Sequence, residues 1–284
     1  MIPPMIRQAF SLTGSPHPAP LRVGAVQYLN TRPLVQGLAA SDLDLSYDLP
    51  SRLADSLAAG RLQVALVPSV EVFRHPEFRI VSDACIGCRG AVMSVKLLFR
   101  VPPHRVASLA VDEGSRTSAA LARILLAEMH GVLPRIEPLP IGAGSNDTEA
   151  DAILLIGDRA LGPATAGGSF QGVWDLGDEW CRWTGLPFVF AVWAARPDAV
   201  SPELAARLAA ARDAGLANLP AIAAVEAVTH GLTIPQCLGY LRDNLHYHLG
   251  ARELEALRLF REHAVRLALV PRPAELDVPL GCPT

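Results

Sequence analysis

Short apolar runs broken by polar turns recur along the chain, spaced as alternating strand and helix. Residues 22–26 read as a buried strand that runs into a turn carrying Gln27, Tyr28, Asn30, Thr31 and Arg32. Pro33 then opens a helix ending near Gly37, since its missing N–H would be unpaired in a first helical turn anyway. Residues 44–49 form a short edge-like strand. Pro50-Ser51 starts a helix with Ser51 as candidate N-cap, an apolar stripe of Leu53, Ala54, Leu57 and Ala58, and Gly60 as its stop. Residues 63–67 are the next strand, and Pro68-Ser69 leads into a short helix over 70–74. This alternation predicts a parallel sheet with right-handed crossovers.

Residues 80–86 and 92–101 follow as apolar, β-branched runs, the second enclosing Ser94. Pro102-Pro103 ends that run, and a first crossing between lobes is placed there. Residues 109–112 begin a new parallel unit and lead through Gly114-Ser115-Arg116-Thr117-Ser118 into a helix with Leu121, Ile124, Leu125 and Met129 on one face. Residues 152–156 are a second buried strand, capped by Gly157-Asp158. Residues 163–172 read as a Gly- and Ala-rich loop, 174–185 carry a short helix, and 188–194 form the returning strand. From Ser201 onward the periodicity is helical, as in Leu204, Leu208 and Ala211 and in Leu254, Leu257, Phe260 and Ala264. The fold class is α/β: two lobes around a cleft, joined by two crossover strands. The predicted divisions are a flexible extension over 1–20, a first lobe over 21–102 and 195–284 with the C-terminal helices, and a second lobe over 103–194.

Half of the 284 residues are hydrophobic and 19% are charged, enough for a sizeable core. A net charge of −3 with no basic run argues against nucleic acid as a partner. No apolar stretch reaches the roughly 20 residues a membrane helix needs, and the Pro-rich start lacks the basic and apolar blocks of a signal peptide. Five cysteines form no even framework, which suits a reducing cytoplasm. Cys85-Ile86-Gly87-Cys88 has redox-motif spacing but follows a strand and precedes Arg89-Gly90, so it reads as a structural turn.

The polar residues at strand ends are the candidate chemistry, because ligands of open α/β sheets bind there. Ser115, Arg116, Thr117 and Ser118 stand at a helix N-terminus, where free N–H groups and hydroxyls favour an anion such as a carboxylate; the alternative is an ordinary cap and a solvated charge. Asn30, Thr31 and Arg32 are suited to orient hydroxyls or carboxylates, or only to satisfy their own turn. Ser94 and Ser69 either contact a ligand or bond to backbone. Asp158 is a candidate general base, hydroxyl acceptor or helix cap. No dinucleotide, P-loop, zinc-protease or nucleophile-elbow motif is present, and the histidines fall outside the polar turns. His246 and His248, two apart, would diverge on a helix and make a poor metal pair.

Laid out in order, Val23-Gly24-Ala25-Val26-Gln27-Tyr28-Leu29-Asn30-Thr31-Arg32-Pro33-Leu34, Gly87-Cys88-Arg89-Gly90-Ala91-Val92-Met93-Ser94-Val95, Ser115-Arg116-Thr117-Ser118, Ala152-Ile153-Leu154-Leu155-Ile156-Gly157-Asp158 and residues 183–193 make the chain resemble the chorismate dehydratases of menaquinone biosynthesis, the MqnA/MqnD family. Ala91 departs from the Pro that the resemblance expects. The resemblance implies a type II periplasmic-binding-protein-like fold used by a cytoplasmic enzyme, monomer or homodimer. It implies loss of water from chorismate to give 3-[(1-carboxyvinyl)oxy]benzoate without a cofactor or metal. It puts Asn30 and Ser94 at the catalytic positions, with the turn at Ser115–Ser118 holding a carboxylate. The rival readings are a non-catalytic solute-binding protein for small carboxylates and the related 1,4-dihydroxy-6-naphthoate synthase.

Overall fold

A computed structural model describes residues 19–38, 42–162 and 170–272. Nearly all of the predicted N-terminal extension, most of the 163–172 loop and the Pro-rich tail lie outside the described residues. In chain order the strands are β1 (Leu21–Val26), β2 (Leu43–Asp48), β3 (Val64–Pro68), β4 (Arg79–Cys88), β5 (Val95–Phe99), β6 (Ser108–Asp112), β7 (Arg135–Leu139), β8 (Ala152–Ile156), β9 (Gly172–Asp175), β10 (Phe188–Ala195) and β11 (His246–His248). The helices are α1 (Pro50–Ala58), α2 (Glu71–Arg74), α3 (Thr117–His130), α4 (Asp158–Leu161), α5 (Leu176–Thr184), α6 (Pro202–Ala217), α7 (Leu219–Glu226), α8 (Ile234–Gly239) and α9 (Ala251–Arg266). Six strands form one sheet in the order β11-β4-β10-β3-β1-β2, and five form a second in the order β7-β6-β8-β5-β9.

Each sheet has a parallel βαβ core: β2, β1 and β3 in the first, β7, β6 and β8 in the second. Antiparallel strands complete them, so the sheets are mixed rather than purely parallel. β10 lies antiparallel between β3 and β4, and β5 lies antiparallel between β8 and β9. β5 therefore belongs to the second sheet. The chain crosses over residues 89–94, before β5, and not at Pro102-Pro103. It returns over α5 and residues 185–187, so β10 is in the first lobe and the predicted limit at 194–195 moves back to its start. The prolines at 102 and 103 only end a strand.

Several local readings shift as well. Leu29–Val35 is a 3₁₀ helix that starts before Pro33, with Thr31 N–H on Tyr28 O at 3.1 Å, so Asn30, Thr31 and Arg32 are helical rather than loop residues. Leu49 caps α1 and Ser51 is buried inside it, so Ser51 is not the N-cap. Ser94 precedes β5 instead of lying within a strand. Cys85 and Cys88 are buried in β4, not in a turn. His246 and His248 lie on a strand, where residues two apart share a face, and their rings are 5.9 Å apart. Of the C-terminal helices, α6 packs on the 3₁₀ helix and β4. α9 packs on β10 and also reaches the second lobe, where His263 and Arg266 meet Glu128 of α3 at 2.9 and 3.0 Å.

Candidate functional site

The carboxyl ends of β1, β3, β6 and β8 converge on a cleft between the two sheets. Its polar groups come from three places. Asn30 enters from the 3₁₀ helix of the first lobe, Ser94 from the crossing segment, and Ser115 to Ser118 from the start of α3 in the second lobe. Apolar walls come from Val26, Tyr28, Val92, Ile156 and Phe190. Phe188, two residues before Phe190 on β10, joins a ring cluster with Trp180 and Phe260.

The start of α3 is shaped for an anion. Its N-cap residue, Arg116, offers no side-chain cap, so the first-turn N–H groups of a 14-residue helix face the cleft without a protein acceptor from that position. The Ser115 hydroxyl is buried there without a hydrogen-bond partner, and Ser118 stands beside it. Arg116 itself is diverted. Its Nη2 donates to both oxygens of Asp55 on α1, at 2.8 and 2.9 Å, and its Nη1 lies 3.3 Å from the buried Glu71. Thr117 is also engaged across the cleft: its Oγ1 accepts from Val70 N–H at 3.2 Å and lies 3.4 Å from Ser69 Oγ.

The other predicted positions are drawn away from the cleft. Ser69 is buried and donates to Val189 O at 2.7 Å. The Thr31 hydroxyl turns to Asn30 Oδ1, 3.4 Å away. Arg32 pairs with Glu226 at 3.1 Å and lies over the Tyr47 ring. Asp158 accepts from Leu29 N–H at 3.1 Å and faces His230 Nδ1 at 3.2 Å, which ties the second lobe to the first. Burial pushes the Asp158 pKa above the ordinary carboxylate value, while the Leu29 N–H and His230 work against that.

Two tyrosines frame the site. The Tyr28 ring lies on Gly157, whose φ of +61° and lack of a side chain are both needed: a Cβ there would be 2.6 Å from the ring. The Tyr28 hydroxyl is buried without a partner, and burial, reinforced by Asp112 and Asp158, holds it neutral well above the ordinary phenol range. Tyr240, on a π-helical turn (Tyr240–Asn244), was not foreseen from the sequence. Its buried hydroxyl lies beside the Ser94 and Asn30 side chains, and neither closes a well-formed hydrogen bond to it. Nothing in the local sequence Leu238-Gly239-Tyr240-Leu241 marks it, because tertiary packing alone brings it behind Ser94 and Asn30. Among the lining residues the ionisable side chains are those of Tyr28 and Arg116. Among the described residues no group of three His, Cys, Asp or Glu is arranged to hold a metal ion, and no helix is long and apolar enough to cross a membrane.

Two α/β lobes, two crossing segments and a cleft between them define the periplasmic-binding-protein-like fold. Solved structures with that fold superimpose on the chain at low identity. A protein of Archaeoglobus fulgidus matches with a TM-score of 0.67 and 19% identity, covering 89% of this chain and all (100%) of that one. The periplasmic aliphatic sulphonate-binding protein of Escherichia coli matches with a TM-score of 0.63 and 16% identity, over 94% of each chain. The chain belongs to the menaquinone-biosynthesis family, whose pattern matches residues 21–266. It is 32% identical to the chorismate dehydratase of Thermus thermophilus over 269 residues, 89% of this chain and 97% of that protein.

Proposed function

We propose that the protein is a chorismate dehydratase, a carbon–oxygen lyase that converts chorismate to 3-[(1-carboxyvinyl)oxy]benzoate and water. The observation that carries this reading is the composition of the cleft. It pairs an uncapped helix N-terminus and serine hydroxyls, suited to a carboxylate, with apolar walls suited to a ring, and has no carboxylate, histidine, lysine or cysteine among its lining residues. A dehydration whose product is aromatic needs little from the protein beyond geometry and the exclusion of water. In this reading the α3 N-terminus with Ser115 and Ser118 holds the ring carboxylate. Asn30 and Ser94 orient the enolpyruvyl group and the leaving hydroxyl. The enolpyruvyl carboxylate of the substrate takes the ring proton, the ring C–OH bond breaks as the ring becomes aromatic, and the departing hydroxyl takes that proton back from the carboxylic acid and leaves as water. The family pattern and the Thermus relative support the same substrate.

Incubating purified protein with chorismate and following the aromatic ultraviolet product tests this directly. Formation of 3-[(1-carboxyvinyl)oxy]benzoate is the expected result. Tight binding of chorismate without turnover would make the protein a solute-binding protein, and turnover of cyclic dehypoxanthine futalosine instead would make it the related lyase.

A further inference from the structure

Asp175, the last residue of β9, gathers four backbone N–H groups on one carboxylate. Its Oδ1 accepts from Val92 at 2.9 Å, Gly177 at 3.0 Å and Asp178 at 3.1 Å, while Oδ2 accepts from Met93 at 2.6 Å. The bonds to Gly177 and Asp178 are the ordinary work of a helix N-cap, here that of α5. The other two reach across to the segment that carries the chain from the first sheet to the second. Capping alone therefore accounts for half of the contacts and leaves Oδ2 unexplained.

That segment is strained. Met93 has a φ of +62°, in the left-handed region that side chains avoid, and Ser94 N–H donates to Val92 O at 2.7 Å. Together these describe a γ-turn centred on Met93, a conformation that persists only where its surroundings impose it. The residue delivered by the turn is Ser94, whose side chain lines the cleft and whose carbonyl accepts from Gly157 N–H at 2.9 Å. The return segment is pressed against the same loop. A Cβ on Gly177 would meet Cys88 Sγ at 2.5 Å and Gly90 O at 2.8 Å, so only glycine lets α5 start this close.

We propose that Asp175 is a positioning residue: its carboxylate clamps the strained 92–94 turn and so aims the Ser94 hydroxyl at the substrate. The proposal rests on the reading of Ser94 as a substrate contact. It also explains why the acceptor is a carboxylate, since both of its oxygens must accept.

Asp175→Asn isolates the clamp. The amide keeps Oδ1 for Val92, Gly177 and Asp178 but turns an NH2 group towards Met93 N–H, so the cap survives and the bond at the strained residue does not. The expected result is a near-unchanged melting temperature and KM, with kcat lowered by about tenfold or more. In a Ser94→Ala background the same change should lower kcat by less than about twofold, because no hydroxyl remains to be aimed. Adding Met93→Gly, which removes the φ penalty, should recover much of the lost kcat. A crystal structure of Asp175→Asn should show Met93 relaxed to negative φ and Ser94 Oγ displaced. Wild-type kcat in Asp175→Asn, an equal loss in the Ser94→Ala background, or Met93 unmoved in the variant's crystal structure overturns the proposal. A wild-type protein that leaves chorismate unchanged instead removes the dehydratase reading, and the variant's crystal structure then decides the clamp by itself.

Discussion

Arg116 and Asp55 join the two lobes face to face, with one guanidinium nitrogen donating to both carboxylate oxygens at 2.8 and 2.9 Å. The arginine of the turn proposed to hold a carboxylate thus spends its guanidinium on the opposite lobe. Asp55 is 59% exposed, so the pair is worth at most about 1 kcal/mol.

The sign of one substitution separates the two roles of Arg116. If it clasps the lobes, Asp55→Asn depopulates the closed form and weakens product affinity by up to about fivefold. If it were the main carboxylate ligand, freeing it from Asp55 would tighten binding. Calorimetric titration with the aromatic product reads the direction.

Asn30 has little to do in the folded chain except face the cleft. Its amide oxygen is met by Thr31 Oγ1 at 3.4 Å, a long contact. Asn30→Ala is therefore expected to change unfolding free energy by less than about 1 kcal/mol. Turnover of chorismate should fall by about a hundredfold or more if the amide supports the reacting groups. Thermal melting beside steady-state kinetics checks both, and full activity would remove Asn30 from the site.

Asp158→Asn tests the remaining protein base. The carboxylate is already occupied by Leu29 N–H and His230, and the isosteric amide keeps an acceptor for Leu29. The expected outcome is a kcat within about threefold of wild type. Loss of turnover with chorismate affinity intact would make Asp158 the proton acceptor and end the substrate-base mechanism.

Alkaline pH gives a test of the buried phenols. Burial raises the pKa values of Tyr28, Tyr240 and Tyr247 in the folded state. The unfolded chain releases these protons first, near pH 10, so the stability they contribute is full below about pH 10 and is lost as pH climbs above it. Melting temperatures measured across that range should fall on the alkaline side. In kcat, Tyr28 stays protonated and adds no limb between about pH 6 and about pH 9.

Much of the architecture was legible because it is written in local patterns. The buried runs of β1, β6 and β8, the Gly60 stop and the helical periodicity that starts after Ser201 each depend on a few adjacent residues. The crossing point was not, because the mainly apolar runs on either side of it read alike, and sheet membership is set by partners far along the chain. The same division holds in the site. Asn30, Ser94 and the Ser115–Ser118 turn could be placed at strand ends. Tyr240 could not, and the partners that divert Arg116 and Asp158 are about 61 and 129 residues away. Asp175 did leave a signal, an Asp three residues before another acidic side chain at a helix start, but that pattern speaks only of a cap.

β4, which carries the chain towards the second sheet, and β10, which receives it back, are adjacent antiparallel strands of one ladder. Two hinges set side by side bend about a common axis, as the two hinges of a door do. Any motion of one lobe against the other that bends at both connections would therefore be a swing about that axis.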